Sequence, residues 1–127
     1  MPEAETAGLI EEVNAKTDVT IALTHMGHSH IDIGTDVSLA KAVNGLDMII
    51  GGHSAEAVCI NEFGALITAY QPGDECIPDK VNGTWVMQAQ EWGKYVGRAD
   101  FTFENGELTL DSYKLCLLYT SPSPRDA

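Results

Sequence analysis

The stretch DVTIALTHMGHSH, residues 18–30, decides how the chain is read. Its first half is nearly all apolar and rich in β-branched residues, the pattern of a strand buried on both faces. Its second half holds three of the chain's four histidines, His25, His28 and His30. The fourth, His53, follows DMIIGG (47–52), a second short apolar run. Between the two runs, TDVSLAKAV (35–43) predicts a helix with Thr35 or Asp36 as N-cap. NGLD (44–47) stops it, because Gly45 is a good C-terminal breaker. Strand, loop, helix, strand is most simply a parallel pair with a right-handed crossover.

That topology gives the histidines a meaning. Parallel strands end on one sheet edge, and open α/β sheets bind ligands beyond those carboxyl ends. His25 and His53 each follow a strand, so their side chains are expected to converge to within about 8 Å, as two ligands of one metal centre must. Gly51 and Gly52 let the backbone turn and approach a ligand closely. Plainer readings stand beside this one. His25 can cap a strand end through a carbonyl. His28 and His30, in a loop with Gly27 and Ser29, read as solvated. H-x-x-H-x-H lacks the cysteine pairs or the i,i+4 helical spacing of stronger zinc motifs.

Around this unit the chain reads as one domain of 127 residues, 44% hydrophobic and 20% charged. Residues 3–16 predict an amphipathic helix with Ala7, Leu9, Ile10 and Val13 on its apolar side and glutamates suited to its N-terminal half. ALITAY (65–70) predicts a strand, and Asn82-Gly83 a turn before a strand at Trp85–Ala89. YVGRADFTFENGELTLDSYKL (95–115) predicts a hairpin turning at Asn105-Gly106. The chain thus starts as α/β and ends as antiparallel β. The net charge of −12 argues against nucleic acid as a partner. No run is long enough to span a bilayer, and the acidic N-terminus lacks a signal-peptide pattern.

The cysteines are Cys59, Cys76 and Cys116. An odd count suggests one pair and one outlier. Cys59 and Cys76 flank a loop, and a bond there closes about 18 residues, worth roughly 3 kcal/mol in an oxidising compartment; two ordinary half-buried thiols are the alternative. The tail CLLYTSPSPRDA (116–127) fits none of the pattern. One reverse translation of Cys116–Asp126 reads as a transposon-end sequencing adapter in frame. The native sequence is therefore expected to stop at Leu115, with residues 116–127 not native and Cys116 without a role.

DVTIALTHMGH, GLDMIIGGHS, the YQPGDECIPD run and NGTWVMQAQEWGKYVGRADFTFENGEL, in this order, resemble the periplasmic 5′-nucleotidase / UDP-sugar hydrolase family. The resemblance runs from the first helix to about Leu115. It implies the second half of a calcineurin-like metallophosphoesterase domain, a four-layer αββα sandwich in which a parallel βαβ unit is followed by antiparallel strands and a C-terminal hairpin. It implies His25 (the THxGH motif) and His53 (the GGHS motif) as metal ligands, and Cys59–Cys76 as a disulfide. Two positions past His53 the family often offers Gln, Asn or His; here Ala55 stands, which cannot coordinate, with Glu56 beside it as a substitute. His28 matches a family position without an assigned role, His30 matches none, and Gln90 stands where some relatives have His.

The resemblance further implies two divalent ions (Zn, Mn or Co), a small-molecule nucleotide substrate, a periplasmic or secreted location, and no membrane partner. The family's Asp-x-His pair, bridging Asp and Asn-His all precede this region, so no catalytic residue is expected here. The expectation is a fragment of an enzyme acting on nucleoside 5′-monophosphates or UDP-sugars, inactive alone. The alternatives are a sister 2′,3′-cyclic-nucleotide phosphodiesterase activity or a non-catalytic, degenerate metal-binding fragment.

Overall fold

The computed structural model describes residues 3–67 and 70–118. Helix α1 (Glu3–Asn14) leads into β1 (Ile21–Leu23), α2 (Asp36–Ala42) and β2 (Met48–Ile50). Then come β3 (Asp79–Val81), β4 (Thr84–Met87), β5 (Tyr95–Glu104) and β6 (Glu107–Leu117). The first four strands form one sheet in the order β1-β2-β4-β3. β1, β2 and β4 are mutually parallel, and β3 runs antiparallel to β4. β5 and β6 form a separate antiparallel pair with an irregularity at Asp100/Phe101.

Strand alternation splits the core in two. Ile49 and Val86 pack with Ile10, Ala40, Val43 and Leu46 on the helix side. Met48 and Met87 pack with Tyr113, Leu115 and the cysteines on the hairpin side. The parallel βαβ unit, the antiparallel strands and the terminal hairpin therefore lie as the sequence predicts. α2 starts at Thr35, whose side chain accepts from the Ser38 amide while the Ser38 hydroxyl accepts from the Thr35 amide, a reciprocal cap. Asn82, in the β3–β4 turn, donates to the carbonyl oxygens of Ala40 and Val43. The turn thereby satisfies the open end of α2.

Several expectations need correction. β1 is not buried on both faces: it is an edge strand, and Ile21 and Leu23 are 47% and 80% exposed, with Ile50 beside them 42% exposed. The hairpin packs against Met48 of β2 and Met87 of β4, and no β1 residue belongs to that cluster. α1 ends at Asn14 and uses little of its apolar side, since Ile10 is buried while Ala7 and Leu9 are exposed. ALITAY contributes only a bridge between Leu66 and Ile60 among its described residues; Thr68 and Ala69 lie outside them. The strand expected at Trp85–Ala89 runs from Thr84 to Met87, and Ala89 makes only an isolated bridge to Ala57. β3 was not foreseen, because three residues with two charges carry no readable period. β6 pairs through Cys116 and Leu117, past Leu115; residues 119–127 lie outside the described residues.

Cys59 and Cys76 are bonded, with Cα atoms 5.2 Å apart, and Cys116 is free. Thiol titration of the denatured, unreduced protein should therefore count one thiol per chain. Cys59→Ser with Cys76→Ser should cost about 3 kcal/mol in denaturant unfolding. A count of three thiols would show that the bond does not form.

Candidate metal centre at the strand ends

The site is built where the three parallel strands stop. The pairing extends one residue past the named strands: the Thr24 amide donates to Ile50 O at 3.0 Å, and the Gly51 amide to Met87 O at 2.9 Å. His25, His53 and Gln88 follow within three residues of β1, β2 and β4 respectively. The rings of His25 and His53 stand 5.1 Å apart between centroids, nearly edge to face. That meets the geometric expectation for the pair. His30 joins them, its ring centroid 5.5 Å from that of His53. All three histidines are exposed.

The turn that carries His53 is conformationally costly. His53 and Ala55 both have positive φ, 77° and 58°, a region that non-glycine residues occupy at a cost of order 1 kcal/mol or more each. Neutral polar groups hold it. Gln88 is buried, its Oε1 accepts from the Glu56 amide at 2.8 Å, and its Nε2 donates to Ser54 Oγ at 3.1 Å. The His28 amide also donates to Ser54 Oγ, at 3.2 Å, which ties the two histidine loops together.

His28 is not solvated. It is 4% exposed, with Nε2 2.8 Å from Asp79 Oδ2 and Nδ1 2.8 Å from Ser29 Oγ. Its ring pins the first histidine loop to β3. Glu56 faces the same ring, with Oε2 3.7 Å from His28 Nδ1. The idea that Glu56 replaces the donor lacking at Ala55 is therefore not supported by its position.

Asp36 is the residue the sequence reading missed. It is fully buried; Oδ1 accepts from the Thr24 hydroxyl at 2.6 Å, and Oδ2 has no hydrogen-bond partner. A Cβ on Gly51 would fall on Oδ2, so glycine at 51 is a matter of space and not of φ. The Asp36 amide donates to Gly27 O at 2.8 Å. One carboxyl group thus lies behind both histidine loops, against the residue before His25 and the glycine two before His53. The only hint in sequence was its place as a candidate N-cap.

Whether these residues suit a metal ion is a question of spacing. Two imidazoles on one ion at N–metal distances near 2.0–2.1 Å and a tetrahedral angle put their ring centroids about 5 Å apart. His25 and His53 match that separation. As they stand, no group of three or more His, Cys, Asp or Glu side chains among the described residues is placed to hold an ion. The pair can supply two neutral donors to one divalent ion. It offers no carboxylate to bridge two.

Known proteins bear on this geometry. No family profile matches the chain. A protein named 5′-nucleotidase from Vibrio parahaemolyticus is 48% identical over 123 residues, covering 90% of this chain and 22% of that protein. Protein UshA of Yersinia enterocolitica is 47% identical over 126 residues, covering 91% of this chain and 22% of that protein. The resemblance to the 5′-nucleotidase / UDP-sugar hydrolase family holds. The chain spans about a fifth of the length of these 5′-nucleotidase and UshA relatives. The fold agrees: the crystal structure of the calcineurin-like phosphoesterase YfkN from Bacillus subtilis superposes with a TM-score of 0.57 at 25% identity, covering 87% of this chain and 34% of that one.

Burial raises the Asp36 carboxyl above its ordinary value of 3.8, against the lowering effects of the Thr24 hydrogen bond and of His28. A folded-state value above the unfolded one means that Asp36 contributes most stability when protonated, and that this contribution is lost as pH rises through the raised value. Asp36→Asn keeps the shape and removes the titration. Its stability relative to the unmodified chain should therefore improve steadily from acidic to neutral pH in urea unfolding. A difference that does not vary with pH would show that the carboxyl is not perturbed.

Proposed function

We propose that the chain is part of a dimetal phosphoesterase that hydrolyses nucleoside 5′-monophosphates, UDP-sugars or both, in the periplasm or outside the cell, and that it is inactive alone. The observation that carries the reading is the His25–His53 pair at the ends of adjacent parallel strands, in a chain that matches 5′-nucleotidases along 90% of its length. On this reading His25 and His53 donate imidazole nitrogens to the metal centre, while Gln88, Ser54 and Asp36 position them. Two divalent ions, when bound, supply charge stabilisation and an activated water for attack on phosphorus. The residues that complete such a centre are not among those of this chain.

The exposed apolar edge supports the same reading. Ile21, Leu23 and Ile50 form an uncovered face beside His25, and a preceding part of the catalytic domain laid against it would bury that face and bring the remaining ligands. Residues 116–127 are read as not native, and Cys116 as without a role. Ala55 favours a second reading, a degenerate site that binds metal without catalysis, because it offers no donor at a turn shaped like a ligand loop. The sister cyclic-nucleotide activity is the other alternative on the same catalytic domain.

The test has two arms. The purified chain with added manganese, cobalt or zinc should hydrolyse neither AMP nor UDP-glucose above background. The Vibrio parahaemolyticus 5′-nucleotidase, with residues 3–115 of this chain replacing its matching segment, should hydrolyse AMP and lose that activity with His25→Ala. Turnover by the isolated chain that vanishes with His25→Ala would sink the fragment reading. A folded chimera without turnover would favour the degenerate one.

A further inference from the structure

We propose that the cavity beside the His53 loop is the subsite for the hexose of a UDP-sugar, whose hydroxyl groups donate to oxygens of Glu56 and Gln90. The inference rests on the proposed reading of the chain and names where one part of the substrate lies. The cavity has a volume of about 370 Å³, and its lining includes Ala55, Glu56, Tyr70, Gln90, Lys94 and Tyr95. That volume falls within the range of small-molecule sites. Ala55 stands two residues past His53, so the cavity adjoins the loop that carries one of the candidate ligands.

The polar part of the lining is unsatisfied. Among the described residues, Asp36 Oδ2, Glu56 Oε2 and Gln90 Oε1 are buried side-chain oxygens without a hydrogen-bond partner. The last two belong to residues that line this cavity. Glu56 Oε2 is 3.7 Å from His28 Nδ1, too far for a hydrogen bond. Both side chains are only half-buried, so rotation about their outer bonds presents these acceptors to the cavity. The backbone here is also costly. Ala55, Gln90 and Trp92 have φ of 58°, 64° and 64°, and the Gln90 amide donates to Glu56 O at 2.9 Å, which holds the two acceptor residues side by side. Strain of this kind gathers at ligand clamps. The apolar part of the lining includes Tyr70 and Tyr95, edge to face with ring centroids 6.1 Å apart. The Tyr70 hydroxyl is already engaged by Asp74 O and the Leu115 amide. Polar recognition therefore falls to Glu56, Gln90 and the exposed Lys94 ammonium. Acceptors and a donor beside apolar rings suit a pyranose, which has an apolar C–H face and hydroxyl groups on neighbouring carbons. A phosphate would set its charge against the Glu56 carboxylate, and a nucleobase brings too few donors for both oxygens.

The experiment is two-dimensional NMR of the purified chain without added metal, titrated with glucose 1-phosphate and, separately, with inorganic phosphate and with AMP. Glucose 1-phosphate should move the Gln90 side-chain amide and Tyr95 ring signals saturably, while phosphate and AMP leave them in place. Glu56→Ala and Gln90→Ala should each weaken that binding at least about tenfold. Lys94→Ala, a change at an exposed side chain, should weaken it too, and carries the test where the other two variants fail to fold. No movement with glucose 1-phosphate, or equal movement with phosphate or AMP, would overturn the hexose subsite. Unchanged affinity in the folded variants would overturn it as well. Failure of the wider reading shows elsewhere: sugar binding by the chain beside a folded chimera that does not hydrolyse AMP would count against the phosphoesterase reading and not against the cavity. AMP hydrolysis by the chimera with no sugar binding by the chain would overturn the cavity assignment alone.

Discussion

Everything at the site depends on the register of three short parallel strands. Ile21, Met48 and Trp85 stand side by side, as do Leu23, Ile50 and Met87. A shift of one residue would turn every strand side chain to the opposite face and move the loops out of line. Strands of three or four residues have few ladder bonds to resist this, so the register is fastened at both ends. At the amino ends, Asp47 accepts from the Thr20 amide through Oδ2 and donates its own amide to Thr20 O, and its carbonyl accepts from Trp85. The Thr84 hydroxyl, buried, donates to Leu46 O. At the carboxyl ends, the Thr24 and Gly51 amides continue the ladder up to the histidine loops.

The loops themselves are stabilised by what lies behind them. A turn with His53 and Ala55 at positive φ would relax if left to solvent. Gln88 spans it from the end of β4 with both halves of its amide used. His28 and Asp36 do the same for the first loop, one bound to β3 and the other to the first residue after β1. The arrangement puts a buried, partly unsatisfied carboxyl and a buried imidazole a few ångströms behind exposed histidines. An unpaired buried acceptor costs roughly 1–3 kcal/mol, so this part of the molecule trades stability for fixed geometry.

The sequence made the β–α–β unit legible because apolar runs, a capping threonine and a breaking glycine all agreed. The Asn-Gly turns were equally plain: Asn82, Gly83, Asn105 and Gly106 all have positive φ. What stayed hidden depended on distant partners. His28 looked like a loop histidine because Asp79, its partner, lies 51 residues away. Gln88 looked like one polar residue in a strand tail, and Asp36 like a cap. β1 looked buried because its composition is that of a central strand; only the sheet order shows that it lies at an edge. Apolar composition alone does not distinguish a central strand from an edge strand, and among the described residues β1 has one neighbour, β2.

On the proposed reading, the open side of β1 and the incomplete metal centre belong together. Leu23 is 80% exposed and lies two residues before His25. Burying side chains such as Leu23, Ile21 and Ile50 is worth about 1.5–3 kcal/mol each when complete, and an apolar edge left open is a template for wrong pairing. On the proposed reading, the segment that covers this edge also carries the carboxylates that the histidines lack. Covering the edge and completing the centre are then one event. Hydrophobic burial supplies the driving force, and the ligands arrive already aligned with strand ends whose register the ladder has set. A centre assembled in this way needs no strong affinity for metal in either part alone, because each part meets its missing ligands only when the sheet is whole.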